Sequence, residues 1–210
     1  MIKIGSVYYN DRYFGQGKQI FKAAHVQDVD ILIFWGGGDI SPHIYGEPNV
    51  ASYGEGGGHR DAIEVDVMQE ALRLQKPILG ICRGAQLACA VLGGKLYQHV
   101  DRHTSAHDMV IAEPYRDLAH DSTIRTSSLH HQMMIPTAEM EIIATAPGRS
   151  RWRENAEGVV YGDHNDPEVV YHAQKRVLMV QGHPEYTPQN SALTVFTKNL
   201  VQNLLGIKFQ

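Results

Sequence analysis

The chain has 210 residues, is 43% apolar and 20% charged, and carries a formal net charge of −4. That length suits one α/β domain over residues 1–210, with enough apolar content for a full core. A slightly acidic balance with no basic block argues against nucleic acid or an anionic membrane as a partner.

In chain order, residues 2–7 read as a buried strand, residues 16–27 as a helix, and residues 31–35 as a second buried strand. Gly36-Gly37-Gly38-Asp39 follows at once and could be no more than a tight turn. Residues 62–75 have helical spacing, with Ile63, Val67, Ala71 and Leu74 on one face. Arg60, Asp61 and Glu64 lie at its start, where acidic side chains suit the positive end of the helix dipole. Pro77 punctuates the entry to a strand at Ile78–Ile81, and residues 85–92 form a helix apolar on nearly every face, closed by Gly93-Gly94. Short strand candidates follow at residues 109–112, 123–126, 142–146, 158–161 and 169–172. Residues 177–181 return to a buried strand, and residues 192–205 close the chain as a helix. This order predicts an α/β fold, a flavodoxin-like doubly wound, mainly parallel sheet with a small antiparallel addition. Ligands collect beyond the carboxyl ends of the strands in such sheets.

Cys82 stands at the joint of a buried strand and a buried helix, between Gly80 and Gly84. That is the pattern of a nucleophile elbow, in which a sharp turn lifts a reactive side chain clear of the sheet. The helix that follows points its N–H groups at the thiol and favours the thiolate. A buried structural cysteine is the alternative. His183-Pro184-Glu185 falls just past the strand at residues 177–181. There the two-residue separation can turn both side chains the same way, so that Glu185 orients His183 as a base for Cys82. The two cysteines suggest no disulfide framework. With no apolar leader and no run long enough to span a bilayer, the expected compartment is cytoplasmic.

G-I-C-R-G-x-Q with a later H-P-E resembles the class I glutamine amidotransferase superfamily, and Arg83 is closer to its γ-glutamyl hydrolase branch, the γ-glutamyl-γ-aminobutyrate hydrolase-like, peptidase C26 type. The glycine loop with Pro42, Tyr45, Gly46 and Glu47, the Arg60-Asp61 and Glu64 pattern, and Ser128-Leu129-His130-His131-Gln132 are similar to further motifs of that family, in the same order. Gly182 departs from it: many relatives carry tryptophan there, which leaves the rim of the site less filled. The resemblance implies Cys82, His183 and Glu185 as the catalytic residues and cleavage of a γ-glutamyl amide through a thioester. It further implies N–H groups of Gly37, Gly38 and Arg83 as the oxyanion hole, and Gln86, His130 and Gln132 as substrate-binding. No cofactor is implied. The partner is a small γ-glutamyl molecule. A glutaminase subunit feeding ammonia to a separate synthetase partner is the competing reading, and a homo-oligomer stays open. A binding protein that merely retains the fold ranks last, since all three catalytic residues are present.

His99, His103 and His107 are spaced by four, as ligands on one helical face would be, with His131 as an extra histidine. Gly93-Gly94 makes a continuous helix there doubtful, so these read as loop histidines and no metal is expected.

Overall fold

The computed structural model describes residues 2–7, 18–19, 23–50 and 57–208. Its first half contains β1 (Ile4–Ser6), β2 (Lys18–Gln19), β3 (Ile31–Phe34), α1 (His59–Arg73), β4 (Ile78–Ile81) and α2 (Arg83–Val91). Then come β5 (Lys95–Tyr97), β6 (His99–Val100), β7 (His107–Ile111), α3 (Arg116–Ala119), β8 (Thr123–Thr126), β9 (Met133–Ile135) and β10 (Glu141–Pro147). The last part holds β11 (Trp152–Asn155), β12 (Gly158–Tyr161), β13 (Asn165–His172), β14 (Val177–Val180) and α4 (Ala192–Leu205).

The main sheet runs β2-β1-β3-β4-β14-β13-β10-β7-β8. Pairings from β2 through β14 are parallel, and those from β14 to β8 are antiparallel. Two small antiparallel sheets, β12-β11-β6 and β5-β9, stand apart from it. The mainly parallel core is thus present, and the antiparallel strands both extend its edge and form separate patches.

Unbroken apolar runs in β3, β4 and β14 follow from burial on both faces. Ile31 and Ile33 join Leu79, Ile81, Leu178, Val180 and the α4 residues Phe196 and Leu200 in one core layer. Leu32 and Phe34 join Ile78, Met179, Val67 and Met68 of α1 and Leu87 of α2 in the other. The period of two along each strand divides one chain into two cores.

The expected helix over residues 16–27 is corrected in part. Lys18–Gln19 pairs parallel with β1, and only Ala23–Asp28 is helical, as a 3₁₀ turn. Pairing at the sheet edge here overrides local propensity; the remaining positions lie outside the described residues. No helix among the described residues is long and apolar enough to cross a membrane.

Candidate active site

β3, β4 and β14 are neighbours in the sheet, so their carboxyl ends bring together Gly36 to Gly38, Cys82 and His183. Cys82 adopts φ 50° and ψ −108° at the start of α2, a conformation that costs a non-glycine residue on the order of 1–3 kcal/mol. The surrounding packing leaves it no alternative. A Cβ at Gly84 would lie 2.0 Å from the carbonyl oxygen of Phe34, and one at Gly80 would lie 2.6 Å from that of Gly84. Helix and strand therefore meet closer than any side chain allows, and the elbow expected from the glycine spacing is the observed geometry.

His183 lies against this elbow. Its Nδ1 is 2.7 Å from Glu185 Oε1, and its backbone N–H donates to Ser127 Oγ at 2.7 Å. The ring stacks on Tyr186 with centroids 5.0 Å apart, and a Cβ at Gly36 would fall 2.5 Å from His183 Cε1. Burial disfavours the charged imidazole, but hydrogen bonding to Cys82 and Glu185 and their negative charge prevail, pushing its pKa up to about 10. Nδ1 is held by the carboxylate, which leaves Nε2 for the sulfur.

Arg83 does more than the sequence suggested. Its side chain is 1% exposed and ion-paired with Glu64 and Asp61 on α1. Asp61 also accepts from Ser41 N at 2.9 Å, Ser41 Oγ at 2.6 Å and Gly57 N at 3.0 Å. Arg60 donates to the carbonyls of Gly36 at 3.1 Å and Trp35 at 2.9 Å, and its Nε to Glu64 at 3.1 Å. These four charged residues clamp the glycine loop against the elbow rather than merely complementing the dipole of α1. Arg83 is also the first residue of α2, where N–H groups have no partner within the helix.

Gln86 is buried, not on the helix surface; its Nε2 donates to Gln132 O at 3.1 Å and to Gln181 Oε1 at 3.3 Å. Gln181 Nε2 in turn donates to Cys82 Sγ at 3.7 Å. His130 is 7% exposed, and its Nδ1 donates to the same Gln132 carbonyl at 3.0 Å. Burial holds the His130 pKa well below the usual histidine value. Ser127 and Gln181 escaped the sequence reading. Gln181 carried a signal, a polar residue ending an otherwise apolar strand.

Gly182 is corrected. A Cβ there would lie 2.3 Å from Thr126 Oγ1 and 3.0 Å from Ser127 O, so the position is tightly filled instead of an open rim. A cavity of about 390 Å³ lined by His43, Gly58, Asp61, Val65 and Ala90 includes neither Cys82 nor His183 in its wall.

The histidines do not share a helix: His99 is on β6 and His107 on β7. His103 and His107 nevertheless approach to a centroid distance of 4.9 Å, held by Asp166 and Glu168 of β13. His131 Nε2 lies 3.0 Å from Asp39 Oδ2, and His131 Nδ1 lies 3.1 Å from His99 Nδ1.

The Peptidase C26 family model matches residues 15–185. The glutamine amidotransferase-like protein YvdE of Lactococcus lactis is 30% identical over 164 residues, covering 76% of this chain and 67% of its own length. Protein NtpR of Enterococcus hirae is 31% identical over 180 residues, covering 81% of this chain and 72% of its own length. A glutamine amidotransferase from Thermotoga maritima shares the fold with a TM-score of 0.61 at 11% identity, over 98% of this chain and 84% of that one. The glutaminase domain of Trypanosoma brucei CTPS does so with a TM-score of 0.53 at 16% identity, over 85% and 72%. The match over residues 15–185 spans the elbow, the clamped glycine loop and the His183–Glu185 pair, and it makes the chain a member of the Peptidase C26 family of class I glutamine amidotransferase-like hydrolases.

Proposed function

We propose that the 210 residues act as one domain that hydrolyses the γ-glutamyl amide bond of a small molecule through a thioester on Cys82. The observation that carries this is the placement of His183 between the Cys82 sulfur and Glu185 at the carboxyl ends of adjacent strands.

In this mechanism the Cys82 sulfur attacks the γ-carbonyl carbon, forming a C–S bond. An imidazolium beside a thiol favours the thiolate as nucleophile. As the C–N bond breaks, His183 gives its Nε2 proton to the leaving amine or ammonia. Water then attacks the thioester while His183 takes its proton, and glutamate leaves with the Cys82 sulfur restored. Glu185 keeps the imidazole in one orientation throughout. The N–H groups of Gly37, Gly38 and Arg83 receive the developing oxyanion, a contribution whose loss typically costs about 100- to 1,000-fold in rate. Gln132 contacts the substrate through its side-chain amide, and Gln86 and His130 fix its backbone carbonyl from behind. Both cysteines are free thiols, as a cytoplasmic site of action requires for Cys82.

A second reading is a glutaminase that delivers ammonia to a separate synthetase. The likeness to the CTPS glutaminase domain favours it, as does β12, whose Val160 and Tyr161 are 52% and 78% exposed. Incubating the purified chain, and its Cys82→Ala form, with glutamine and a panel of γ-glutamyl amines while measuring glutamate separates the two. Fast, Cys82-dependent cleavage of one γ-glutamyl amine supports the hydrolase. Slow glutamine turnover that rises only with an added synthetase supports the second reading, and no activity on any of these substrates in folded protein, with or without an added synthetase, refutes both.

A further inference from the structure

Next to the catalytic centre lies a second cluster of which the reaction above uses only His130, through its Nδ1. Donor atoms of His103, His130 and Glu168 lie within 4.8 Å of one another, and the three residues are 0%, 7% and 0% exposed. Each has one polar atom committed and one left over. His103 Nε2 is 2.9 Å from Asp166 Oδ2, whereas its Nδ1 has no hydrogen-bond partner. His130 Nδ1 donates to Gln132 O, which fixes the tautomer and leaves Nε2 as an unpartnered lone pair. Glu168 Oε1 is 2.8 Å from His107 Nε2, and Oε2 has no partner.

Buried polar atoms are almost always satisfied, so three orphans on residues whose donor atoms lie this close together require an explanation. Every free atom here is a lone pair or a carboxylate oxygen, and lone pairs repel unless something positive stands between them. The outer atoms match what metal ligands show: each histidine gives its second N–H to a carboxylate or carbonyl that fixes the ring. Asp166 is itself anchored by Ser150 N and Oγ, both at 2.8 Å, and by Arg153. The competing ways to reconcile the cluster are a bridging water or a proton, on Glu168 Oε2 or on His103 Nδ1, which lies 3.5 Å from Glu168 Oε1.

We propose that His103, His130 and Glu168 form a binding site for a divalent cation of borderline softness, Zn²⁺ before others. Two imidazoles and one carboxylate are a donor set zinc takes in proteins, with a fourth position left for water. Tetrahedral zinc spaces its ligands about 3.4 Å apart, so side-chain shifts of roughly an ångström bring the donors into place. The site would also brace the active centre. His103 O accepts from Ser128 Oγ at 2.7 Å and from His130 N at 3.0 Å, and the same loop gives Ser127 to the His183 backbone. A cation here ties β13 and the segment that precedes β7 to the loop that holds the catalytic histidine.

The test uses the full chain, stripped with chelator and then titrated with Zn²⁺ by calorimetry and with Co²⁺ by visible absorption. The expected result is one metal per chain and a tetrahedral Co²⁺ spectrum with no thiolate band. His103→Gln and Glu168→Gln should each weaken Zn²⁺ binding by more than about 100-fold, and Asp166→Asn by roughly 10- to 100-fold. Should a variant fail to fold, the wild-type Co²⁺ spectrum still decides. No stoichiometric Zn²⁺ or Co²⁺ uptake by folded wild type would overturn the proposal and leave a water or a proton to fill the gap. A thiolate-to-cobalt band, or affinity unchanged in both folded variants, would also overturn it by placing the metal elsewhere. None of these outcomes depends on whether the chain cleaves γ-glutamyl amides.

Discussion

Replacing Arg83 with methionine keeps the side chain's length but removes its charge from between two buried carboxylates. Arg83 and Glu64 are each 1% exposed and Asp61 is 3% exposed, so water cannot take over the lost pairing. Breaking a buried ion pair from one side costs about 3–5 kcal/mol. Arg60 still holds Glu64, and three donors still hold Asp61, which sets the expectation near the lower end. At roughly 2–4 °C per kcal/mol for a chain of this size, Arg83→Met should lower Tm by about 6–15 °C. The assay is thermal and urea denaturation, both followed by circular dichroism. It is run on wild type, Arg83→Met, and the triple variant that adds Asp61→Asn and Glu64→Gln. Removing the stranded charges should recover much of the loss, because neutral partners need no counter-charge. A loss under about 1 kcal/mol in Arg83→Met, or a triple variant no better than the single, would refute the clamp as described.

The raised His183 pKa makes stability depend on pH. Against the opposing effect of burial, Cys82 and Glu185 push it up to about 10 in the folded state, from the usual 6.5 of a free imidazole. The stabilisation is therefore complete below pH 6.5 and is lost as pH climbs toward 10, by up to about 5 kcal/mol shared with Cys82. Denaturation curves between pH 6.5 and 10 should show a steeper loss in wild type than in Cys82→Ala; parallel curves would contradict the coupling. Glu185→Gln should reduce kcat by about 100-fold or more with little change in KM, measured as glutamate release, because it disturbs the orientation and charge support of His183. Gly84→Ala should not yield folded protein at 37 °C, as its methyl would sit 2.0 Å from a backbone oxygen; a native circular dichroism spectrum would count against the elbow. Burial pushes the Cys89 thiol up to about 12, so iodoacetamide at pH 8 should alkylate Cys82 at least roughly 100-fold faster than Cys89, read by peptide mapping.

Much of the fold was legible because burial on both faces writes itself as unbroken apolar runs, as in Ile31–Phe34, Ile78–Ile81 and Val177–Val180. The elbow was legible because glycines at 80 and 84 answer a close backbone approach that admits nothing else. What stayed hidden depends on partners far along the chain. The side-chain role of Arg83 needed Asp61 and Glu64, 22 and 19 residues earlier. The spacing of His99, His103 and His107 suggested one helical face, whereas Asp166 and Glu168 of β13 are what gather His103 and His107, 63 and 61 residues on. β2, β5, β6 and β9 are two or three residues each, too short to show a period. Gly182 read as an unfilled position because nothing local says that Thr126, Ser127 and Leu193 converge on it.

The central claim is that Cys82 carries a γ-glutamyl group during turnover, and rapid acid quenching with peptide mass spectrometry tests it most directly. Wild-type protein mixed with a cleavable γ-glutamyl amide for milliseconds to seconds should yield one γ-glutamyl adduct on the peptide containing Cys82, absent in Cys82→Ala and lost on longer incubation as glutamate appears. Glutamate formed at the full rate by Cys82→Ala, or an adduct on any other residue, would contradict the account.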